Sequence, residues 1–233
     1  LNYPKPKISI VIPTFNEAQN IKALGAWLKA DGLQVIVADG GSTDATQAMA
    51  QTQHFEWVAC PQKGRAAQLN YGAQKAKAPI LFFMHADSRP PKDFATLIQN
   101  VVNKKYQAGC FRLQFDWSHP LLKFSAWLTR FNLNAFRFGD QGFFVSQKIW
   151  QKLGGYNQEL LLLEDQDIAI RAKKLGRFKI ISKPMLTSAR KYRVNGAWRL
   201  QWIFFNIWWR AQKGQNQTKL LAYYRQKIKD DKQ

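Results

Sequence analysis

Short apolar runs alternate with helix-spaced apolar positions along the first part of the chain. Ile8-Ser9-Ile10-Val11-Ile12 is a β-branched run closed by Pro13, which predicts a buried strand. Residues 16–29 carry Ile21, Leu24, Trp27 and Leu28 at helical spacing. A second apolar run, 33–38, ends in the turn-forming Asp39-Gly40-Gly41-Ser42, and Thr43-Asp44 opens a helix through Ala45, Ala48 and Met49. Phe55-Glu56-Trp57-Val58 reads as a third strand, the Ala-rich 65–77 as a helix, and Ile80-Leu81-Phe82-Phe83-Met84 as a fourth strand. Strand and helix at these intervals predict an α/β fold: a mostly parallel central sheet with helices on both faces.

The middle of the chain is less regular. Residues 109–115 alternate like a strand, and 120–131 look helical. Gly139-Asp140-Gln141-Gly142 is a turn before the short strand Phe143-Phe144-Val145. A short helix over 148–153 stops at Gly154-Gly155. The helix over 164–175 has acids at its start and bases at its end, as the helix dipole favours. Residues 198–209 then pack Trp, Phe, Ile and Leu between Arg199 and Arg210. No repeat, low-complexity segment or linker interrupts the pattern. One unit over 1–195 and a basic aromatic helical tail over 196–233 are expected.

Composition adds a core and a charge. Of 233 residues, 46% are apolar, with 16 Phe, enough for a substantial interior. The net charge of +20 is unevenly spread: no Asp or Glu occurs between Ile168 and Lys229, where sixteen Lys and Arg stand. That asymmetry suits an anionic partner, whether substrate phosphates, an acidic membrane face or nucleic acid. Cys60 and Cys110 follow no metal-ligand spacing, and three histidines are too few for a structural zinc site. They read as free thiols in a reducing cytoplasm. No charged-then-apolar leader opens the chain and no apolar run reaches the length of a membrane span, so a cytoplasmic location is expected.

The candidate chemistry lies at strand ends. In an open parallel sheet, ligands bind outside the carboxyl ends of the strands. Pro13-Thr14-Phe15-Asn16-Glu17 follows the first strand, Asp39 the second, and His85-Ala86-Asp87 the fourth. Asp39 and Asp44 would also serve as plain turn and N-cap residues. An apolar strand running straight into Asp87 is a usual way to present an oxygen ligand to Mg²⁺ or Mn²⁺, which need only one or two protein carboxylates beside phosphates and water. Glu164-Asp165-Gln166-Asp167 follows four leucines; acids so flanked are costly unless a helix start, a metal or a base role compensates.

Taken in order, these segments resemble glycosyltransferase family 2, with the GT-A fold. The resemblance runs from Ile8 to about Arg193 and rests on 10–17, 37–44, Gly64-Arg65-Ala66-Ala67-Gln68-Leu69-Asn70, 81–87, 139–142, Glu164-Asp165 and Thr187-Ser188-Ala189-Arg190. More narrowly it is similar to a small bacterial branch labelled radical-SAM/selenodomain-associated transferases. The resemblance implies a nucleotide-binding half over 1–108 and an acceptor half over 109–195. Pro13, Thr14, Phe15, Glu17 and Asp39 would line the nucleotide pocket, and Arg65 would contact the nucleotide or a phosphate. Asp87 corresponds to the last acid of an Asp-x-Asp metal motif, Asp165 to the general base, and Glu164 would lie close to the acceptor. Gln141 and Arg190 would sit near the acceptor or the diphosphate. The implied reaction is a single inverting displacement with a divalent cation, Mg²⁺ or Mn²⁺, and a nucleotide-diphosphate sugar donor. Two departures stand out: His85 replaces the first acid of Asp-x-Asp, and the Gln-x-x-Arg-Trp motif of processive synthases is absent.

The acceptor is not legible; a lipid-linked or a small polar compound both fit. The tail resembles an interfacial helix lying on the inner face of a membrane, with its basic residues drawn to anionic lipid. The competing reading is that its aromatics pack on the catalytic domain. A nucleic-acid-binding module would fit the charge, but no RRM aromatic motif, zinc knuckle or helix-turn-helix accompanies it, so no nucleic-acid partner is expected. A nucleotidyltransferase is the nearest enzymatic alternative.

Overall fold

The structure is a computed structural model that describes residues 6–137 and 139–229. Its elements, in chain order, begin with β1 (Ile8–Thr14), α1 (Ala18–Gly25), β2 (Leu33–Asp39), α2 (Thr46–Thr52), β3 (Glu56–Ala59), α3 (Arg65–Gln74) and β4 (Ile80–Phe83). There follow β5 (Ser88–Arg89), α4 (Phe94–Asn103), β6 (Ala108–Phe115), α5 (Pro120–Leu128), two single 3₁₀ turns (Asn134–Phe136 and Gly139–Gln141), β7 (Phe143–Ser146) and α6 (Gln147–Leu153). The chain closes with α7 (Glu164–Leu175), β8 (Phe178–Thr187), α8 (Arg190–Asn195), α9 (Ala197–Gln212) and α10 (Gln217–Lys227).

All eight strands form one sheet in the order β3-β2-β1-β4-β7-β6-β8-β5. The first four are parallel, with Thr14 opposite Asp39 and Val11 opposite Phe83, so β1, β2 and β4 end along one edge. β7 is antiparallel to both neighbours, β6 runs parallel to β8, and the short β5 turns back along β8. The expected mostly parallel α/β sheet is the one observed.

Strand alternation divides the core between the two faces. Ile8, Ile10, Ile12, Val35, Val37 and Phe82 face α1 and α4, where Ile21, Leu24, Phe94 and Ile98 close the layer. Val11, Ile36, Ala38, Leu81 and Phe83 face α3 and α7, against Leu69, Ala73, Ile168 and Ala172. Burying both faces makes these strands near-continuous apolar runs, and each fully buried branched side chain contributes about 1.5–3 kcal/mol. On the second face α3 lies so close to β1 that a Cβ at Gly72 would stand 2.5 Å from Val11 Cγ1. That close approach fixes the height at which the first residue of α3, Arg65, stands above the sheet edge.

Helices α9 and α10 pack against each other and against the preceding elements. Leu200, Ile203 and Ile207 of α9 are buried with Ile228, and Gln217 Oε1 accepts from the Leu161 and Leu162 amides, 3.1 Å each. Among the described residues, no helix is long and apolar enough to cross a membrane.

Candidate active site

The edge where β1, β2 and β4 end carries two kinds of polar structure. The loops after β1 and β2 are laced together by their own side chains. Thr14 Oγ1 donates to Asp39 Oδ1 at 3.1 Å, and the Ser42 amide to Asp39 Oδ2 at 3.0 Å, while the Ser42 hydroxyl also donates to Asp39. The Asn16 amide donates to Ser42 Oγ at 2.8 Å, and Asn16, held at φ 54°, accepts the Thr43 amide at 2.9 Å. Asp44 accepts the Ala18 amide at the start of α1 and the Thr46 amide at the start of α2. Burial works against the Asp44 charge, but the hydrogen bonds from Thr46 and the Ala18 amide outweigh it and hold its pKa below the usual carboxylate value. Gln68 of α3 ties this region to the next by donating to the Thr14 and Ala38 carbonyls, 2.8 Å each.

Beside these loops stands a group of charges drawn from four separate elements. His85 follows β4, Asp140 lies in the second 3₁₀ turn, Glu164 and Asp165 open α7, and Arg65 opens α3. His85 Nδ1 lies 2.8 Å from Asp140 Oδ1, and its Nε2 lies 3.8 Å from Asp165 Oδ2. Arg65 reaches Glu164 at 3.2 Å and Asp165 at 3.8 Å. Leu163, immediately before Glu164, adopts φ 67°, a strained left-handed conformation for a branched residue that turns the two acids toward Arg65. Gly139 is required by the closeness of the group: a Cβ there would collide with Asp165 Oδ2 and stand 2.6 Å from His85 Nε2.

The electrostatics are unbalanced in detail although cations and anions alternate. Burial and Arg65 disfavour a charge on His85, but Asp140 and Asp165 outweigh them and push its pKa up to about 10. Asp140, also opposed by burial, is held low by His85. Asp87 is pushed up by burial and by Asp140. Glu164, whose side chain is 5% exposed, is pushed up by burial and Asp165 more than Arg65 relieves it. The Arg65 side chain is 49% exposed; burial works against its charge, but Glu164, Asp165 and Asp140 outweigh it and reinforce that charge.

Most of the expected site residues fall into these two regions; Gln141 and Arg190 lie outside both. Thr14, Asp39 and Glu17 belong to the laced loops, where the Glu17 amide donates to Thr46 Oγ1 at 2.8 Å; Pro13 leads into them and Phe15 is exposed. Arg65, Glu164 and Asp165 come together as one group. Gln141 is buried in the wall, its amide donating to the Phe111 carbonyl at 3.0 Å. Arg190 begins α8, its amide donating to Ser188 Oγ at 3.2 Å. Asp140, in sequence only a turn residue, is the acid closest to His85. Its sequence signals are an acid between two glycines before a buried strand and its place in the resemblance segment 139–142, from which only Gln141 is expected in the site. Tyr192 of α8 and Tyr224 of α10 also border the group: Tyr192 is pushed up by burial and Asp140, and Lys191 Nζ bonds Tyr224 Oη at 2.7 Å.

A divalent cation suits this donor set. One ligand atom each from His85, Asp87 and Asp140 lie within 4.8 Å of one another. Asp87, raised by burial and by Asp140, stands where a further cation would relieve it, and the buried His85 Nε2 makes no hydrogen bond to the described residues. Mg²⁺ or Mn²⁺ would complete its shell with phosphate oxygens and water. The surrounding acids favour the protonated imidazole, so metal ligation by His85 would have to displace a proton.

Fold and site together define a GT-A glycosyltransferase domain. The chain belongs to the family described as Glycosyl transferase family 2, whose model matches residues 9–183. An uncharacterized glycosyltransferase of Mycobacterium tuberculosis, Rv1514c, is 25% identical over 182 residues, 72% of this chain and 69% of that protein. Glycosyltransferase AglE of Haloferax volcanii is 31% identical over 96 residues, 36% of this chain and 32% of that protein. Among solved structures, the mannosyltransferase PcManGT from Pyrobaculum calidifontis, in complex with GDP-Man and Mn²⁺, superposes with a TM-score of 0.67 at 19% identity. It is matched over 88% of this chain and 63% of its own. TarS 1-349 of S. aureus with UDP-GlcNAc gives 0.66 at 15% identity, over 78% of this chain and 58% of that one. The chain thus spans under two thirds of either solved structure, and these likenesses carry the fold.

Proposed function

We propose that this chain transfers a hexose from a nucleoside-diphosphate sugar to an acceptor hydroxyl by a single inverting displacement. The observation that carries the reading is the convergence of Asp165, Glu164 and Arg65 beside His85, Asp87 and Asp140, at the edge where Asp39 and Thr14 also end. Asp39, Thr14, Pro13, Phe15 and Glu17 hold the nucleoside. Arg65, aided by Arg190, faces the diphosphate and meets the charge that develops as the glycosidic bond lengthens. Asp165 takes the proton of the acceptor hydroxyl, and Glu164 keeps Arg65 in position next to it. When bound, Mg²⁺ or Mn²⁺ on Asp87 and Asp140 supplies positive charge against the departing diphosphate.

His85 in place of the first acid of Asp-x-Asp supports the small bacterial branch within the family. With this reading goes a location on the cytoplasmic side, against the inner face of the membrane. PcManGT and TarS were solved with GDP-Man and UDP-GlcNAc, which sets the first donors to test. The full chain is incubated with a panel of nucleotide sugars, Mn²⁺ and candidate hydroxyl acceptors, and the released nucleotide is identified. Free nucleoside diphosphate in step with glycosylated acceptor is the expected result. Release of pyrophosphate would make the chain a nucleotidyltransferase and overturn the proposal.

A further inference from the structure

Helix α9 has two apolar faces, and the fold uses one of them. At about 100° per residue, Leu200, Ile203 and Ile207 share the buried side, while Trp198, Trp202, Phe205 and Trp209 share the opposite one. These four are exposed, Trp198 by 69% and Trp202 by 65%. The stripe continues onto α5, which packs against α9: His119 at the start of α5 stands edge-on to Trp198, with 6.3 Å between ring centroids. Phe124 and Trp127 of α5 and Phe131 just beyond it are exposed as well, Phe124 stacked on Trp127 at 6.1 Å and Phe131 edge-on to Trp127 at 5.0 Å. A monomer in water gains nothing by displaying so many large aromatics together, and a patch of this kind marks a surface with an occupant.

The charges around the patch identify the occupant. Residues 117–139 and 168–229 contain no Asp or Glu, so both helices and their flanks carry cations alone. Lys213 lies over the Trp209 ring at 3.8 Å and Arg130 over the Trp127 ring at 5.0 Å, with Lys123 and Arg199 exposed nearby. Indoles rimmed by cations match the interface of a bilayer, where the amphipathic ring sits at headgroup level and the cation meets lipid phosphate. A second copy fits poorly, because it would press one cation-rimmed face onto another on a chain of net charge +20.

We infer that the α5–α9 aromatic face docks this chain on an anionic lipid bilayer. The inference deepens the membrane-side location in the proposed function, naming the surface and its lipid, and rests on that reading only for the purpose of docking. The geometry gives it a consequence for the site. Tyr192 of α8 bridges Phe115 of β6 and Phe204 of α9, at 5.4 and 6.1 Å, and borders the acids around Asp140. A docked α9 thus holds the acceptor side of the site near the lipid surface.

The test is co-sedimentation of the full chain with phosphatidylcholine vesicles, with and without phosphatidylglycerol, at low and high salt. Four exposed tryptophans serve as the probe: a Trp127→Gln, Trp198→Gln, Trp202→Gln, Trp209→Gln variant is compared with wild type. Since these side chains sit outside the core, the variant keeps its fold, which its melting curve checks. Wild type is expected to pellet with anionic vesicles and to retain part of that binding at high salt, while the variant loses at least roughly tenfold in affinity. Equal binding by both proteins, or binding that high salt abolishes completely, would reduce the contact to general charge and overturn the inference. A wild-type dimer that the variant dissolves, or tight binding of a single-stranded oligonucleotide through the same tryptophans, would overturn it as well. None of these readouts requires sugar transfer, so failure of the vesicle assay is distinguishable from failure of the transfer assay.

Discussion

The laced loops after β1 and β2 differ in kind from the charged group beside them. In the loops every acid has its donors: Asp39 is met by Thr14 and Ser42, Asp44 by Ala18 and Thr46. Those hydrogen bonds set the loop shape without help, and for Asp44 they also favour the charged form. In the charged group, Asp87 and Glu164 are pushed toward protonation, and His85 Nε2 is buried without a hydrogen bond to any described residue. A region whose charges are satisfied is built to hold a shape. One whose charges are left in tension is built to receive something, and perturbed groups gather at such places.

The comparison is broken most severely at Asp165. Asp165→Asn keeps the size of the side chain and removes the proposed base, so turnover should fall by about 10²–10⁴-fold. Binding of a nucleoside diphosphate, which the proposed function assigns to the laced loops, should be unchanged by calorimetry. An Asp165→Asn protein with wild-type kcat would remove the assigned base, whatever its binding.

Gly139→Ala comes next. The new methyl enters the space held by Asp165 Oδ2 and His85 Nε2, so both must shift. Displacement of a catalytic group on this scale costs about 10²-fold in rate, and the loss should appear in kcat with the melting temperature little altered. This glycine also marks a boundary of what sequence pattern reveals. Asp39 and Asp87 are legible because each ends an apolar strand, and the acids and bases of α7 place it at its observed bounds. The role of Asp140 is not legible, because only the pairing of β7 between β4 and β6 carries that turn over to His85. β8 is hidden for a local reason: Pro184 and the register shift opposite Phe111 and Arg112 break its alternation. By contrast, α4 carries Phe94, Leu97, Ile98 and Val101 at plain helical spacing, a signal absent from the expected elements although nothing physical obscures it. The tail aromatics fit both packing and exposure, and α9 does both on opposite faces.

A smaller effect separates the two regions by metal. At a cation concentration about ten times Kd, binding should stabilise the wild type by about 1.4 kcal/mol. Asp87→Asn and Asp140→Asn should each lose that Mn²⁺-dependent rise in melting temperature, whereas Asp44→Asn should keep it. A rise that survives in both of the first two variants would move the cation elsewhere.

The smallest effect is the most discriminating, because the two regions should respond to pH with opposite sign. The folded pKa of Asp44 is depressed, so its contribution is present above the ordinary carboxylate value of about 3.9 and is lost as pH falls through the folded pKa. The folded pKa of Glu164 is raised, so its charge opposes folding once the pH passes that value, and acid relieves it. Melting curves of metal-free protein across the acidic range should therefore diverge. The advantage of wild type over Asp44→Ala, about 1 kcal/mol near neutrality on the scale of a lost cap, should shrink as pH falls. The stability of wild type relative to Glu164→Gln should grow over the same descent. Parallel slopes for the two variants would mean that both regions are satisfied alike, and the tension assigned to the charged group would have no basis.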